Sequence, residues 1–86
     1  MGYSGVTTIK GEKFIWLQGI GYVKAKLIES FEVGDKIAYN YGSTYTIISK
    51  TKATPKFWEL KVKSDDSGDV YTQRVKVGTY KPYLKR

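Results

Sequence analysis

Two runs late in the chain alternate apolar and polar side chains with a period of two, which restricts them to strands with one buried face. Residues 57–63 put Trp58, Leu60 and Val62 on one face and Glu59, Lys61 and Lys63 on the other. Residues 70–77 put Tyr71, Val75 and Val77 inward and Thr72, Arg74 and Lys76 outward. Between them, Ser64-Asp65-Asp66-Ser67-Gly68-Asp69 is rich in turn formers. It lacks the alternating ligands and distal Glu of a calcium loop. One hairpin register sets Lys63 against Val70, Lys61 against Thr72 and Glu59 against Arg74. The next same-face register sets Lys61 against Arg74 and Glu59 against Lys76. Both give Glu59 an opposite charge. The first also separates the like charges, which cost about a few tenths of a kcal/mol when directly opposed.

The same period recurs upstream. Residues 6–10 and 13–18 flank Gly11-Glu12, and a two-residue loop with Gly first predicts a type II′ hairpin. In that register Ile9 faces Phe14, Thr7 faces Trp16, Val6 faces Leu17 and Thr8 faces Ile15. Both faces are apolar, so Phe14, Ile15, Trp16 and Leu17 cannot all fill one core. Residues 22–27 alternate, while Ala25-Lys26-Leu27-Ile28-Glu29 also fits one helical turn, and both readings stay open. Val33-Gly34-Asp35 is a turn. Ile37, Tyr39 and Tyr41 are then expected on one side, with Lys36, Ala38 and Asn40 on the other. Gly42-Ser43 leads into a strand over 44–50, and residues 51–56 read as a loop carrying Pro55. Gly78-Thr79 turns into a short last strand, where Pro82 suits an edge.

Six or seven short strands between turn signals predict an all-β fold, a small barrel or sandwich, and closure into a barrel would hide most of the edges. Eighty-six residues suit a single domain over 1–86, with 1–21 as an N-terminal hairpin extension and 22–86 as the barrel core. There is no Cys, so neither a disulfide nor thiolate metal ligation is open to the chain. The start lacks a charged region followed by an apolar run, and no stretch approaches the ~20 apolar residues of a membrane span. Val6 occupies the Ser/Thr position of a myristoylation signal. A cytoplasmic protein without a membrane contact is expected.

The segment Phe31-Glu32-Val33-Gly34-Asp35-Lys36-Ile37, followed by Tyr45-Thr46-Ile47-Ile48-Ser49-Lys50, resembles small SH3-like barrels. It looks most like short barrel proteins of phages and prophages. In those, a V-G-D-x-I opening precedes a hairpin, a T-V-V-S-like strand and a late Y-T-x-R strand, matched by Tyr71-Thr72-Gln73-Arg74. The resemblance covers residues 23–77. It implies five to seven short antiparallel strands. KOW-type barrels share the opening but usually carry a Gly before the strand that begins Tyr45-Thr46-Ile47, a departure that speaks against a ribosomal-type role. A shared fold does not fix function.

Charge gives the functional lead. The net charge is +7, with five bases and four acids in residues 1–49 and ten bases and four acids in residues 50–86. Thirteen of the fifteen bases are Lys, which suits diffuse phosphate contact better than bidentate base reading. Lys61, Lys63, Arg74 and Lys76, joined by Lys50, Lys52 and Lys56, form a candidate stripe for DNA or RNA recognised by charge and shape. Tyr41, Tyr45 and Tyr80 are candidate base stackers, drawn from Tyr39-Asn40-Tyr41 beside Tyr45 and from Tyr80-Lys81-Pro82-Tyr83. A solvated sheet face and aromatics packed in the core explain the same residues more simply. The alternative function is a protein-interaction module or phage accessory protein docking through Phe14, Ile15, Trp16 and Leu17, with a monomer or weak homodimer expected. Proline-rich peptide recognition is disfavoured, since no acidic loop adjoins an aromatic groove. The absence of His and Cys removes the commonest general base and the strongest nucleophile. No Gly-rich phosphate loop is present. The chain is therefore read as a non-enzyme with no metal and no cofactor.

Overall fold

A computed structural model describes residues 6–84. The start read for a leader, residues 1–5, and the last two cations, Lys85 and Arg86, lie outside the described residues.

The fold is all-β. Among the described residues eight strands follow in chain order: β1 (Val6–Ile9), β2 (Glu12–Leu17), β3 (Gly21–Leu27), β4 (Lys36–Ala38), β5 (Thr44–Thr54), β6 (Phe57–Ser64), β7 (Val70–Lys76) and β8 (Tyr80–Pro82). They form two four-stranded antiparallel sheets, β1-β2-β3-β8 and β4-β5-β6-β7. That is more strands than the five to seven expected, and the sheets do not close. An isolated bridge, Ile37 to Tyr83, stitches β4 to the chain just after β8. β1 and β7 are left as the outer edges.

Each sheet buries one row. Ile28, Phe31, Ile37, Ile47, Leu60, Val62 and Val75 form the larger core, flanked by Tyr39, Tyr45, Trp58 and Tyr83. Ile15, Leu17, Val23 and Ala38 form the smaller one, with Ala25 and Tyr80 against it. The short strand β4 belongs to both, because Ile37 faces the first core and Ala38 the second.

The late hairpin adopts the register that separates the like charges: Lys63 pairs with Val70, Lys61 with Thr72 and Glu59 with Arg74. Leu60, Val62 and Val75 are buried as expected. Tyr71 and Val77 are not. Both are exposed: Tyr71 lies at the rim of the larger core against Tyr45, and Val77 lies just past the end of β7.

Other expectations shift by a residue or more. In the first hairpin Ile9 pairs with Glu12, so the turn is Lys10-Gly11. Both turn residues have positive φ, 51° and 81°. That is a type I′ turn, whose twist matches the flanking strands, in place of the expected type II′. The parity of the pairing is unchanged, so each side chain keeps its predicted face. The ambiguous segment is a strand to Leu27 and then one 3-10 turn, Ile28–Ser30. Residues 51–54, read as loop, extend β5. The turn lies at Pro55-Lys56, where Thr54 Oγ1 accepts the backbone N–H groups of Lys56 and Phe57 at 3.2 and 3.1 Å.

Tyr41 leaves the side expected for it. After Ala38 the chain turns through the 3-10 segment Asn40–Gly42, with Tyr41 left-handed at φ 63°. That strained backbone is held from outside. Tyr41 N–H donates to Gln18 O at 2.7 Å, and Gln18 N–H donates to Asn40 Oδ1 at 2.9 Å. The Tyr41 ring lies over Gly19, where an added Cβ would come 2.7 Å from Cδ1. A side chain at 19 would collide with that ring.

Candidate functional site

The outward row of β6 and β7 carries the basic stripe. Lys61 and Lys63 stand two residues apart on β6, as do Arg74 and Lys76 on β7, so each pair is separated by about 7 Å. Arg74 faces Glu59 across the ladder, which makes it a diagonal neighbour of Lys61, again about 7–8 Å away. Lys63, Lys61, Arg74 and Lys76 thus step obliquely across the sheet over roughly 20 Å. All four are exposed. Lys56, in the turn beyond, extends the line, since Phe57 pairs with Lys76 and Val77 N–H donates to Lys56 O at 2.8 Å.

Lys50 and Lys52 do not join it. The ladder between β5 and β6 shifts register between Ile47 and Ser49. The extra residue, Ile48, is pushed out and reverses the facing of everything after it. Lys50 then pairs with Leu60 and Lys52 with Trp58, on the side away from Lys61. Their ammonium groups lie 4.3 and 4.5 Å from the centre of the Trp58 ring. Lys50 Nζ also donates to Phe31 O at 2.7 Å and Glu29 O at 3.2 Å, and burial pushes its pKa down. It is a structural lysine. Trp58 itself is half-buried, with its indole N–H donating to Glu29 Oε2 at 3.0 Å. Glu29 also accepts the Gly78 N–H at 3.0 Å. The Trp58 hydrogen bond, with help from Gly78, holds the Glu29 carboxyl below its ordinary pKa.

At the other end of the stripe sits an acid that is already occupied. Asp65 accepts from Lys36 Nζ at 2.8 Å, from Thr46 Oγ1 at 2.7 Å and from the Thr44 hydroxyl. Those bonds, Lys36 first, hold its pKa at about 2. They tie β4, β5 and the turn after β6 together and use up the Lys36 charge locally.

The candidate stacking residues are scattered. Tyr80 packs against the smaller core and Tyr41 lies over the β2–β3 turn. Tyr45 pairs with Ser64 and points to the inner side of the second sheet. There it joins a cluster. Its ring centre is 4.8 Å from that of Tyr39 and 5.9 Å from that of Tyr71, both edge to face. With Gln73 these rings line a groove of about 330 Å³. Gln73 Nε2 donates to the Tyr39 hydroxyl at 3.3 Å, and burial raises the Tyr39 pKa. Gln73 drew no attention in the sequence. Its place between Tyr71 and Val75 in the inward row of β7 was the available signal.

The first sheet presents a different outer face. Ile15 and Leu17 are buried and so are not available to a partner. Phe14 is half-buried, and Trp16 is 52% exposed. Trp16 pairs across the ladder with Tyr22, itself 53% exposed, and their rings meet edge to face at 5.2 Å. Among the cations on this face, Lys24 is paired with Glu12 at 3.1 Å and Lys26 with Asp35 at 3.2 Å. Ile20 and Leu84, both exposed, border Tyr22 in an open groove of about 370 Å³.

Among the described residues no His, Cys, Asp or Glu cluster of three or more is gathered to hold a metal, and no helix is long and apolar enough to cross a membrane. No family model, curated protein or solved structure matches the chain.

Proposed function

We propose that this is a non-enzymatic binding module that engages DNA or RNA through the basic outer face of β6 and β7. The observation that carries the reading is the oblique line of Lys63, Lys61, Arg74 and Lys76, exposed on one face and spaced about 7 Å apart. Phosphate contacts from flexible lysines supply affinity with little sequence code. We also read the fold as SH3-like and the protein as cytoplasmic and of phage or prophage type. The run of sheet from β3 through β8 to β4–β7, stitched by the Ile37–Tyr83 bridge, supports the SH3-like part.

The test is fluorescence anisotropy of a labelled oligonucleotide titrated with the full chain at several salt concentrations. Micromolar affinity is expected at low salt. Four phosphate contacts predict a log–log salt slope of roughly −3 to −4. An oligonucleotide that stays unbound at low ionic strength refutes the proposal.

A second reading, a protein-interaction module, is favoured by one observation: the exposed Trp16–Tyr22 pair on a face where Lys24 and Lys26 are matched by Glu12 and Asp35. Trp and Tyr are the residues that most often anchor protein interfaces. Under this reading Trp16→Ala abolishes partner or self-association measured by sedimentation velocity and leaves oligonucleotide binding intact. Unchanged sedimentation of the variant beside an associating wild type removes the reading.

A further inference from the structure

We infer that the tyrosine groove on the inner side of β7 receives an unpaired base, so that the nucleic acid bound on the outer face is single-stranded. The inference rests on the nucleic-acid reading above and narrows it to one class of polyanion. Three features of the groove support it.

The first is its walls. Tyr39 and Tyr45 meet edge to face, and Tyr45 meets Tyr71 the same way. Tyr71 is the outermost ring and is 48% exposed, so part of its surface is open to stacking. Three tyrosines together offer a π-lined site that accepts any base. At about 330 Å³ the groove lies at the small end of ligand sites, with room for one flat ring system and none for a duplex.

The second is a polar group. A side-chain amide carries two N–H donors and a carbonyl acceptor. Gln73 gives one N–H to the Tyr39 hydroxyl. Its carbonyl and second N–H are left to meet the hydrogen-bonding edge of a base, which becomes accessible only when that base is unpaired.

The third is the position of the strand. β7 is the edge of its sheet, and its side chains alternate across that edge. Tyr71 and Gln73 stand on the groove side, while Thr72, Arg74 and Lys76 stand on the basic side. A flexible strand whose phosphates lie on Arg74 and Lys61 can turn a base over the free edge into the groove. A duplex holds its bases in the stack and reaches only the outer cations. The protein's excess of positive charge supplies the complementarity for either, but only the single strand uses the tyrosines.

The experiment compares a labelled 12-nucleotide oligothymidine with a duplex of equal phosphate number at one salt concentration, using the full chain. The single strand is expected to bind about tenfold more tightly, the scale of one base–aromatic stack. Tyr71→Ala removes that preference and leaves the salt slope unchanged. Tyr71→Phe keeps the preference. Lys61→Gln with Arg74→Gln weakens both ligands and lowers the slope. Tyr71 is half exposed, so its truncation leaves the fold intact, which circular dichroism checks. Equal or tighter duplex binding, or single-strand binding indifferent to Tyr71→Ala, overturns the base-groove inference and leaves the basic face standing. A proline-rich peptide that occupies the groove without displacing the oligothymidine overturns it as well. If neither nucleic acid binds, the broader function falls with it.

Discussion

The two sheets meet the same burial requirement by the same alternation and differ in what they turn to water. The second sheet buries Ile47, Leu60, Val62 and Val75 and presents Lys61, Lys63, Arg74 and Lys76. The first buries Ile15, Leu17 and Val23 and presents Trp16 and Tyr22, with its Lys24 neutralised by Glu12. Inward rows are constrained by packing and say little about role. Outward rows are free of that constraint, so their contrast is where function is legible. One face suits a polyanion held by charge, the other a partner held by aromatic contact.

The contrast is broken most severely from inside. Leu60→Ala and Leu17→Ala are each expected to lose about 3 kcal/mol in urea denaturation, since both are fully buried in well-packed clusters. Near-equal losses mean that both cores sustain the fold. A loss at Leu17 below about 0.5 kcal/mol, the level of an ordinary surface change, means that the first sheet is an accessory layer. From outside, the triple change Lys61→Gln, Lys63→Gln, Arg74→Gln should weaken oligonucleotide binding about a hundredfold near physiological salt and reduce the salt slope by about 3. Trp16→Ala should leave both unchanged. If it weakens oligonucleotide binding as strongly, the two faces are not separate functions.

A smaller effect comes from acid. The Asp65 pKa is depressed to about 2 from an ordinary 3.8. A carboxylate depressed on folding adds stability above its unfolded pKa and loses it as pH falls through the folded one. The wild type should therefore lose stability between about pH 4 and pH 2, and Asp65→Asn should be flatter across that window. The side chain is partly solvated, so the contribution is about 1 kcal/mol at neutral pH. The difference between the thermal melts of wild type and Asp65→Asn across that range reports on the second sheet, because every partner of Asp65 lies in it, while Glu29 and Asp35, also depressed, titrate in both proteins. The smallest effect belongs to the first hairpin. Lys10 holds φ 51° in a type I′ turn, a conformation Asn tolerates better. Lys10→Asn should raise stability by about 0.5 kcal/mol, and a loss instead means that the Lys10 side chain makes a contact of its own.

Much of the second sheet was legible in the sequence. Parity assigned residues 58–63 of β6 to their faces, though it left Ser64, which is buried at the end of the strand, in the turn, and avoidance of like charges selected the register. What parity omits is coverage. Tyr71 shares the inward row with Val75, yet only Val75 reaches the larger core, while Tyr71 meets Tyr45 at the rim and stays half exposed. The bulge at Ile48 left no mark either. A bulge needs no special residue type, and it turned Lys50 and Lys52 away from the stripe. Tyr41 was misplaced for a related reason. Its left-handed backbone is imposed by hydrogen bonds to Gln18 and Asn40's grip on the same turn, contacts more than twenty residues apart in sequence. Of the candidate site, the cations of β6 and β7 were readable locally, and the tyrosine groove was not, since it gathers residues from three separate segments.

Ala38 sits where the interiors of the two sheets meet, with no surface in water. Its methyl group packs with Ile15, Leu17 and Val23 of the first sheet, while its neighbour Ile37 packs in the larger core. Close-packed interiors tolerate added carbons poorly, so a larger residue at position 38 is expected to strain the contact between the aromatic-bearing sheet and the charge-bearing one, and a ligand spanning both would feel its size without ever touching it.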